Sequence, residues 1–361
     1  MQNLDEIYNK TEFATILTTG RTGSDYLQAC LDNVPGIMTF SGHMHFYNFC
    51  KEIDLNNSKI HNLEKTLDLF IKKYYHLFTE DIVENKIINL DIEKFKNNFI
   101  EITEKRSLSR QKFLFSIYLA YHLTLNRNIE NIKIMIHHSH HVIEAKEFLS
   151  DFANSKLLIT IRDPRANLKS GISNWIKYDQ SKHNQQHYFT YIKRIREDLK
   201  FAKNQTNKKF FLKLEEANDI KVKEKLCNFL GVEFNTNIMT ATFAGKIWTG
   251  DKLSQTSSYD GSYNKKVINN NWDNFFTTKD KMILDLIYKD YKLFGYKMNK
   301  INLLKTISIF FFIPLPFVFD KKFFTINHFM QTKISLKEKV KNIYFYLRRI
   351  FYFYKLLFKF G

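Results

Sequence analysis

The segment Thr18-Thr19-Gly20-Arg21-Thr22-Gly23-Ser24-Asp25-Tyr26 constrains the fold most, because it joins a predicted buried strand to a predicted helix through a turn with two glycines. Residues 13–17 are apolar and β-prone, and residues 27–34 carry apolar side chains at helical spacing until Pro35. Glycines let backbone N–H groups turn toward one point, and the N-terminus of the following helix adds partial positive charge. The segment therefore predicts an anion-binding loop at the end of a strand.

The loop differs from that of nucleotide triphosphatases in one respect. Those loops end in Gly-Lys-Ser/Thr, where the lysine binds the β- and γ-phosphates and the hydroxyl binds magnesium. Here Gly23 is followed by Ser24 and Asp25, and the loop has no lysine. Arg21 supplies a full charge and a fork of donors instead. The pattern disfavours ATP as the ligand, and an ordinary strand-to-helix turn is the structural alternative.

A second segment has the same strand-to-helix character. The β-prone run 156–161 ends in Arg162-Asp163-Pro164-Arg165, where Asp163 can cap a helix and Pro164 suits its first position. Ser170 follows the cap by about two helical turns and so lies on the same face. An arginine and a hydroxyl are thus predicted to bind one anion.

The arrangement of strands predicts the fold class. Four strands are predicted, at 13–18, 132–137, 156–161 and 209–214, with helical sequence between them. This alternation indicates an α/β, three-layer fold with a central parallel sheet and right-handed crossovers, whose ligands bind at the carboxyl ends of the strands. We predict a catalytic domain at 1–300 with a helical insertion at 51–128, followed by a tail at 301–361.

Histidines follow the second predicted strand as His137-His138-Ser139-His140-His141. An imidazole suits the removal of a proton at neutral pH. His137 and His141 are four residues apart and would share a helix face, which is the metal-site alternative. Because no CxxC pair or acidic partner lies nearby and the three cysteines are scattered, no metal site and no disulfide are predicted.

The two anion motifs together resemble those of the PAPS-dependent sulfotransferases, whose donor is 3′-phosphoadenosine 5′-phosphosulfate. Residues 19–24 are similar to the family's 5′-phosphosulfate loop. Arg162 and Ser170 have the spacing of its 3′-phosphate-binding pair. Weaker similarity continues in 211–216, 227–232 and 248–296, the last including a cofactor-covering loop at Trp248 to Tyr263. The resemblance implies a P-loop-like sulfotransferase fold of the carbohydrate or bacterial type.

The resemblance also implies roles for individual residues, with PAPS as co-substrate and no metal. The residues implied in cofactor binding are Gly20, Arg21, Thr22, Gly23, Ser24, Asp25, Arg162 and Ser170. Asp25 departs from the family, which usually has a threonine or serine there; a carboxylate would repel the 5′-phosphate unless it turns away or pairs with a cation such as Arg21.

The resemblance implies more than one candidate for the catalytic base. His140 precedes Arg162 by 22 residues, as the family's catalytic histidine does approximately, and it is the first choice over His138. His43 takes the place at which some branches carry a glutamate base. Arg21 is also implied to stabilise the charge that develops on the transferred group.

The C-terminal tail concentrates the positive charge. The net charge is +18, and residues 301–361 hold eleven lysines and arginines against two acidic residues, half of the total in a sixth of the chain. Because aromatic and apolar residues lie between these charges, the tail suits an anionic membrane surface better than nucleic acid. The 13-residue apolar run 307–319 is shorter than the roughly 20 residues of a membrane span. A tail helix packed on the domain is the alternative.

The first ten residues, polar and mixed in charge, predict neither a signal peptide nor an anchor, which favours a cytoplasmic enzyme, peripheral on the inner face of a membrane. The sequence therefore predicts a sulfotransferase that acts on a hydroxyl of a glycan or glycolipid. The alternatives are a phosphotransferase with a divergent phosphate loop and a non-catalytic membrane-associated protein.

Overall fold

The computed structural model of the protein describes residues 4–55, 59–79, 89–104, 106–248, 250, 260–264, 271–325 and 335–358. The strands are β1 (Glu12–Thr18), β2 (Ile37–Thr39), β3 (Ile134–Ser139), β4 (Lys156–Ile161), β5 (Lys209–Lys213), β6 (Thr242–Phe243) and β7 (Lys246–Ile247). The helices are α1 (Leu4–Lys10), α2 (Ser24–Leu31), α3 (Phe46–Glu52), α4 (Leu63–Lys73), α5 (His76–Thr79), α6 (Ile92–Thr103), α7 (Arg110–Thr124), α8 (Val142–Asp151), α9 (Pro164–Tyr178), α10 (Gln185–Asn204), α11 (Ile220–Leu230), α12 (Thr278–Ile287), α13 (Leu303–Phe312) and α14 (Leu336–Phe358).

The central sheet has five strands in the order β2-β3-β1-β4-β5. β1 pairs in parallel with both β3 and β4, and β2 pairs in parallel with β3. The predicted α/β class with a central parallel sheet is confirmed, as are the four predicted strands within two residues of their ends. The three-residue β2 was missed, because so short a strand carries no readable alternation of apolar and polar residues.

The chain divides into two compact units. The first comprises residues 1–18, 23–160 and 204–268. Its core contains many aromatic rings: Phe13 stacks on Phe152 with ring centroids 4.3 Å apart, and Phe40 stacks on Tyr121 at 4.2 Å. Helix α7 is buried on every face, which explains why it has almost no polar side. The helical sequence of 51–128 therefore contributes core to this unit.

The second unit comprises residues 19–22, 161–203 and 269–361. The hydroxyl of Tyr288, the residue that follows α12, donates to the carbonyl of Ile192 on α10 at 3.2 Å. Asp320 and Arg349 form a fully buried ion pair, and Gln185 Nε2 donates to Asp320 Oδ1 at 2.8 Å. Part of the tail is thus built into this unit. The domain boundary at residue 300 stays a prediction.

The helix starts follow the side-chain rules. Asp163 accepts from Arg165 N at 2.9 Å with Pro164 in the first turn, as the sequence predicts. Thr277 and Asp280 form the predicted capping box, each side chain accepting from the other's backbone N–H at 3.2 Å. Across the described ranges, no helix combines the length and apolar character needed to cross a membrane.

Candidate active site

The glycine loop, residues 19–25, begins in the second unit. Gly20 has φ +109°, and a Cβ there would lie 2.8 Å from both Asn167 Oδ1 and Tyr191 Oη, so only glycine fits. Arg21 N donates to Asn167 Oδ1 at 2.9 Å, and Asn167 Nδ2 donates to Thr19 O at 2.7 Å. The buried Asn167 side chain thereby holds the backbone of the loop on both sides of Gly20.

The loop ends in the first unit, where it becomes helix α2. Gly23 caps this helix with φ +78°, and a Cβ there would lie 2.4 Å from Leu214 Cδ1, so a larger residue would clash. As glycine has no side chain, it cannot satisfy the first N–H groups of the helix. These groups can therefore donate to a bound anion.

Positive charge accumulates around the same segment of the second unit. Arg162 follows β4 and is 2% exposed. Burial lowers the pKa of Lys169 on α9, and the charge of Arg162 lowers it to a smaller extent. Burial raises the pKa of Tyr191, while the charges of Arg21, Arg194 and Arg162 counteract this rise. Cations grouped in this way favour an anionic ligand. Ser170 is half-buried on α9, one residue after Lys169.

The neighbouring Arg165 has a structural role. Its guanidinium pairs with Asp163 at 2.7 Å and with the buried Asp285 at 3.0 Å, and it stacks over Trp272 with 4.0 Å between Cζ and the ring centroid. Because its charge is already paired, it ties α9 to α12.

The first unit contains a cluster of four histidines and two carboxylates, which we call the histidine cluster: His43, His45, His138, His140, Asp25 and Glu144. In one half of it, Asp25 Oδ1 lies 3.3 Å from His140 Nε2 and 3.7 Å from His138 Nδ1. His138 Nδ1 also lies 2.8 Å from Gln28 Oε1. The side chains that face Asp25 at this site are therefore histidines.

The other half joins the loop before α3 to the first turn of α8. His45 Nδ1 is hydrogen-bonded to Glu144 Oε1, and His43 Nε2 lies 3.8 Å from Glu144 Oε2. The ring of His43 lies over that of His140, with centroids 3.7 Å apart, so the two halves are in contact. His43, His138 and His140, the three predicted bases, are thus brought together by the fold.

The cluster has a defined charge state at neutral pH. Burial raises the pKa of Asp25, but the hydrogen bond from His140 and the charges of the surrounding histidines lower it further, well below its usual range. Burial lowers the pKa of His43 to about 4 and that of His138 well below its ordinary value. The carboxylate is therefore ionised while His43 and His138 are neutral.

His137 lies apart from this chemistry. It is buried in β3, where its Nδ1 bonds to Tyr118 Oη at 2.9 Å and its ring stacks on Phe148. Because residue 137 is in a strand, the helix face that it was considered to share with His141 does not exist. However, two other groups, Asp25-His138-His140 and His43-His45-Glu144, bring possible metal ligands within 4.8 Å of one another. The expectation of no metal stays a prediction.

The buried histidines predict how stability depends on pH. Burial lowers the pKa of both His122 and His137 to about 3. Between an ordinary pKa of about 6.5 and this value the unfolded chain binds protons that the folded chain does not, so stability falls as the pH falls. We expect each histidine to cost about 2 kcal/mol between pH 6.5 and pH 5. Urea unfolding at both pH values measures this loss.

The variant His122→Gln isolates one of these contributions, because an amide can replace the bonds of His122 Nε2 to the backbone of Thr39. Its unfolding free energy should change less between the two pH values than that of the unaltered protein. An equal change in both proteins would contradict the assignment to His122.

Sequence reasoning missed several residues of the site. Asn167 and Tyr191, which support the loop, and Glu144, which binds the histidines, were not singled out. Glu144 is the first acidic residue after the histidine run, and His45 forms a His-x-His pair with His43; both signals were readable. The predicted cofactor-covering loop at 248–263 lies largely outside the described residues.

No protein-family model matches the chain, and no curated protein matches it in sequence. Among solved structures, the chain is similar to the sulfotransferase domain of the curacin biosynthetic pathway, at 17% identity and a TM-score of 0.48. This match covers 80% of this chain and 99% of that one.

Two further structures are similar to the chain. The sulfotransferase domain of the Synechococcus PCC 7002 olefin synthase matches at 14% identity and a TM-score of 0.43, over 80% of this chain and 97% of that one. A sulfotransferase from Mycobacterium avium matches at 10% identity and a TM-score of 0.36, over 65% and 68%. The three structures named here are sulfotransferases by their descriptions.

Proposed function

We propose that this protein is a PAPS-dependent sulfotransferase that transfers a sulfuryl group to a hydroxyl. The observation that carries the proposal is the glycine loop, which has no lysine and adopts positive φ angles at Gly20 and Gly23 just before α2. The same chain has a buried arginine, Arg162, at the end of β4. Such a loop can bind phosphate through backbone N–H groups and Arg21 without the lysine that ATP chemistry requires.

The donor is assigned to the two anion motifs. The 5′-phosphosulfate binds the glycine loop, where the N–H groups of residues 22–25 and Arg21 stabilise the negative charge of the transferred group. The 3′-phosphate binds Arg162 and Ser170, which select PAPS over adenosine phosphosulfate. Lys169 adds a second cation beside Arg162. As in phosphoryl transfer, positioning and electrostatic stabilisation supply most of the rate.

His140 is the proposed base. Its side chain is 31% exposed, whereas those of His43 and His138 are 18% and 2% exposed, so His140 is the most accessible of the three to an acceptor. Asp25 Oδ1 lies 3.3 Å from His140 Nε2 and can orient the ring and stabilise its protonated form. Asp25, which departs from the family pattern, is therefore proposed to position the base.

The step balances without a further reactant. The acceptor oxygen attacks the sulfur, the bond between sulfur and the bridging oxygen breaks, and adenosine 3′,5′-bisphosphate leaves with the electrons of that bond. His140 takes the proton of the acceptor hydroxyl. Calorimetry with adenosine 3′,5′-bisphosphate tests the proposal: we expect binding, and weaker binding of magnesium-ATP. Absence of bisphosphate binding would rule out the sulfotransferase, and tight binding of magnesium-ATP alone would favour a phosphotransferase.

A glycan or glycolipid is the proposed acceptor, presented at an anionic membrane surface on which the tail lies. Large apolar side chains of the second unit are exposed along α13 and α14: Leu304 is 74%, Phe311 66% and Phe351 71% exposed. Exposed apolar groups among lysines and arginines suit the boundary between lipid headgroups and acyl chains. The observation favours a membrane-bound acceptor over a freely diffusing one.

Replacing Leu304, Phe311 and Phe351 together by serine should weaken sedimentation with phosphatidylserine vesicles by at least about tenfold, because each apolar side chain withdrawn from water contributes about 1–2 kcal/mol. These substitutions leave the buried Asp320–Arg349 pair in place, which deletion of 301–361 would remove. The matched control replaces Tyr75, Ile220 and Ile247, exposed apolar residues of the first unit. Equal sedimentation of both triple variants would rule out the tail as the membrane-binding segment.

A further inference from the structure

We propose that His43, His45 and Glu144 form a binding site for one divalent transition-metal ion. This site goes beyond the proposed sulfuryl transfer, for which the residues of the glycine loop, Arg162 and His140 suffice. It is carried by three observations on the first unit: the spacing of the ligand atoms, the burial of the carboxylate and the unsatisfied nitrogen of His43.

The spacing matches that of a coordinated ion. One ligand atom from each of the three side chains lies within 4.8 Å of the other two, and His43 Nε2 is 3.8 Å from Glu144 Oε2. Two ligands at about 2.1 Å from a tetrahedral zinc ion are about 3.4 Å apart. His45 Nδ1 and Glu144 Oε1 share a hydrogen bond, and the metal takes the place of its proton.

The carboxylate lacks a permanent counter-charge. The Glu144 side chain is 2% exposed, and within the described part of the chain its ion-pair partners are histidines, with no lysine or arginine within 4 Å. A buried carboxylate is costly unless a cation compensates it. His43 Nε2 is also buried and has no hydrogen-bond partner among the residues described. A divalent ion between them satisfies both groups.

The donor set defines the class of metal. Two imidazoles and one carboxylate bind borderline ions of the Zn²⁺, Co²⁺ and Fe²⁺ group and disfavour Mg²⁺ and Ca²⁺, which prefer oxygen ligands. The His45 side chain is 38% exposed, so the coordination sphere can be completed by water. This combination of three protein ligands and an open position is that of catalytic zinc sites.

The ligands are held by outer contacts. Glu144 lies in the first turn of α8, and its Oε2 accepts a hydrogen bond from the backbone N–H of His140 at 3.1 Å. His45 caps α3. The His43 ring lies 3.7 Å from that of His140, centroid to centroid, so the metal is held beside the proposed base. Such outer contacts fix the orientation of metal ligands.

Cobalt binding to the full-length protein tests the site. After removal of metal with a chelator, Co²⁺ is titrated by visible absorption and Zn²⁺ by calorimetry. We expect one equivalent to bind, with cobalt ligand-field bands, and His45→Ala and Glu144→Gln each to weaken binding by about 100-fold. His45→Ala is the primary variant, because its partly exposed side chain can be removed with little effect on folding, which circular dichroism verifies. His61→Ala, an exposed histidine elsewhere in the first unit, is the matched control.

The alternative ligand set, Asp25, His138 and His140, is tested with Asp25→Asn. If the proposal holds, this variant and His61→Ala bind cobalt as the unaltered protein does. The proposal is overturned if the unaltered protein shows no bound cobalt, if His45→Ala and Glu144→Gln both bind normally, or if only Asp25→Asn loses the ion. Calorimetry with adenosine 3′,5′-bisphosphate on the same variants reports the proposed sulfotransferase function separately.

Discussion

Arg162→Ala is expected to weaken the binding of adenosine 3′,5′-bisphosphate on the order of 10³-fold in calorimetry. The arginine side chain can form two charge-assisted hydrogen bonds to the 3′-phosphate, each contributing about 2 kcal/mol. Arg162 is almost fully buried, so its interaction with a phosphate is only weakly screened by water. Burial is the larger cause of the lowered pKa of Lys169, and the charge of Arg162 lowers it further, a repulsion that a bound anion would relieve.

The control for this experiment is Arg196→Ala. Arg196 also belongs to the second unit, but its guanidinium donates to Glu197 Oε1 at 2.6 Å. Its removal should change bisphosphate affinity by less than about threefold, the size expected for a partly exposed ion pair. If Arg162→Ala and Arg196→Ala bind equally well, the 3′-phosphate is bound elsewhere, although the sulfotransferase proposal would survive.

His140→Ala is expected to lower the rate of sulfuryl transfer by about 10²–10⁴-fold, the usual contribution of a positioned general base. Bisphosphate affinity should stay within about twofold, because the variant removes the proton acceptor and leaves the glycine loop and Arg162 in place. Transfer of radioactive sulfate from PAPS to a panel of sugar and lipid hydroxyls measures the rate.

Two further variants separate the base from its surroundings. Asp25→Asn should lower the rate by about tenfold, since it removes the charge that stabilises protonated His140 but keeps the base. His61→Ala should react normally. A His140→Ala enzyme with an undiminished rate would exclude His140, and a loss confined to His43→Ala would move the role to His43.

The sheet could be predicted because its signals are local. β1, β3, β4 and β5 each contain a short apolar and β-prone run flanked by polar residues, and such runs predict strands to within a few positions. The glycines of the loop were readable for the same reason. Their positive φ values, +109° at Gly20 and +78° at Gly23, express a backbone preference that belongs to the residue itself.

The partners within the site could not be predicted, because they are far apart in the chain. Asp25 meets His140 across 115 residues, and His45 meets Glu144 across 99. No sequence pattern relates residues so far apart in the chain. They come into contact only when β3 pairs with β1 and when α2, α3 and α8 pack around the end of that strand pair. From the sequence, Arg21 is the expected cationic partner of Asp25, whereas in the structure His138 and His140 face this carboxylate.

By itself, the sequence determined the α/β class, the strand–loop–helix units at Gly20 and Arg162, and the basic, aromatic tail, since each depends on residues that are neighbours in the chain. Only the tertiary structure decided that Asp25 pairs with His140, that Glu144 joins His43 and His45, and that Asn167 holds the loop. The physical reason is that hydrogen bonds and ion pairs depend on distance in space, which only the pairing of strands and the packing of helices set.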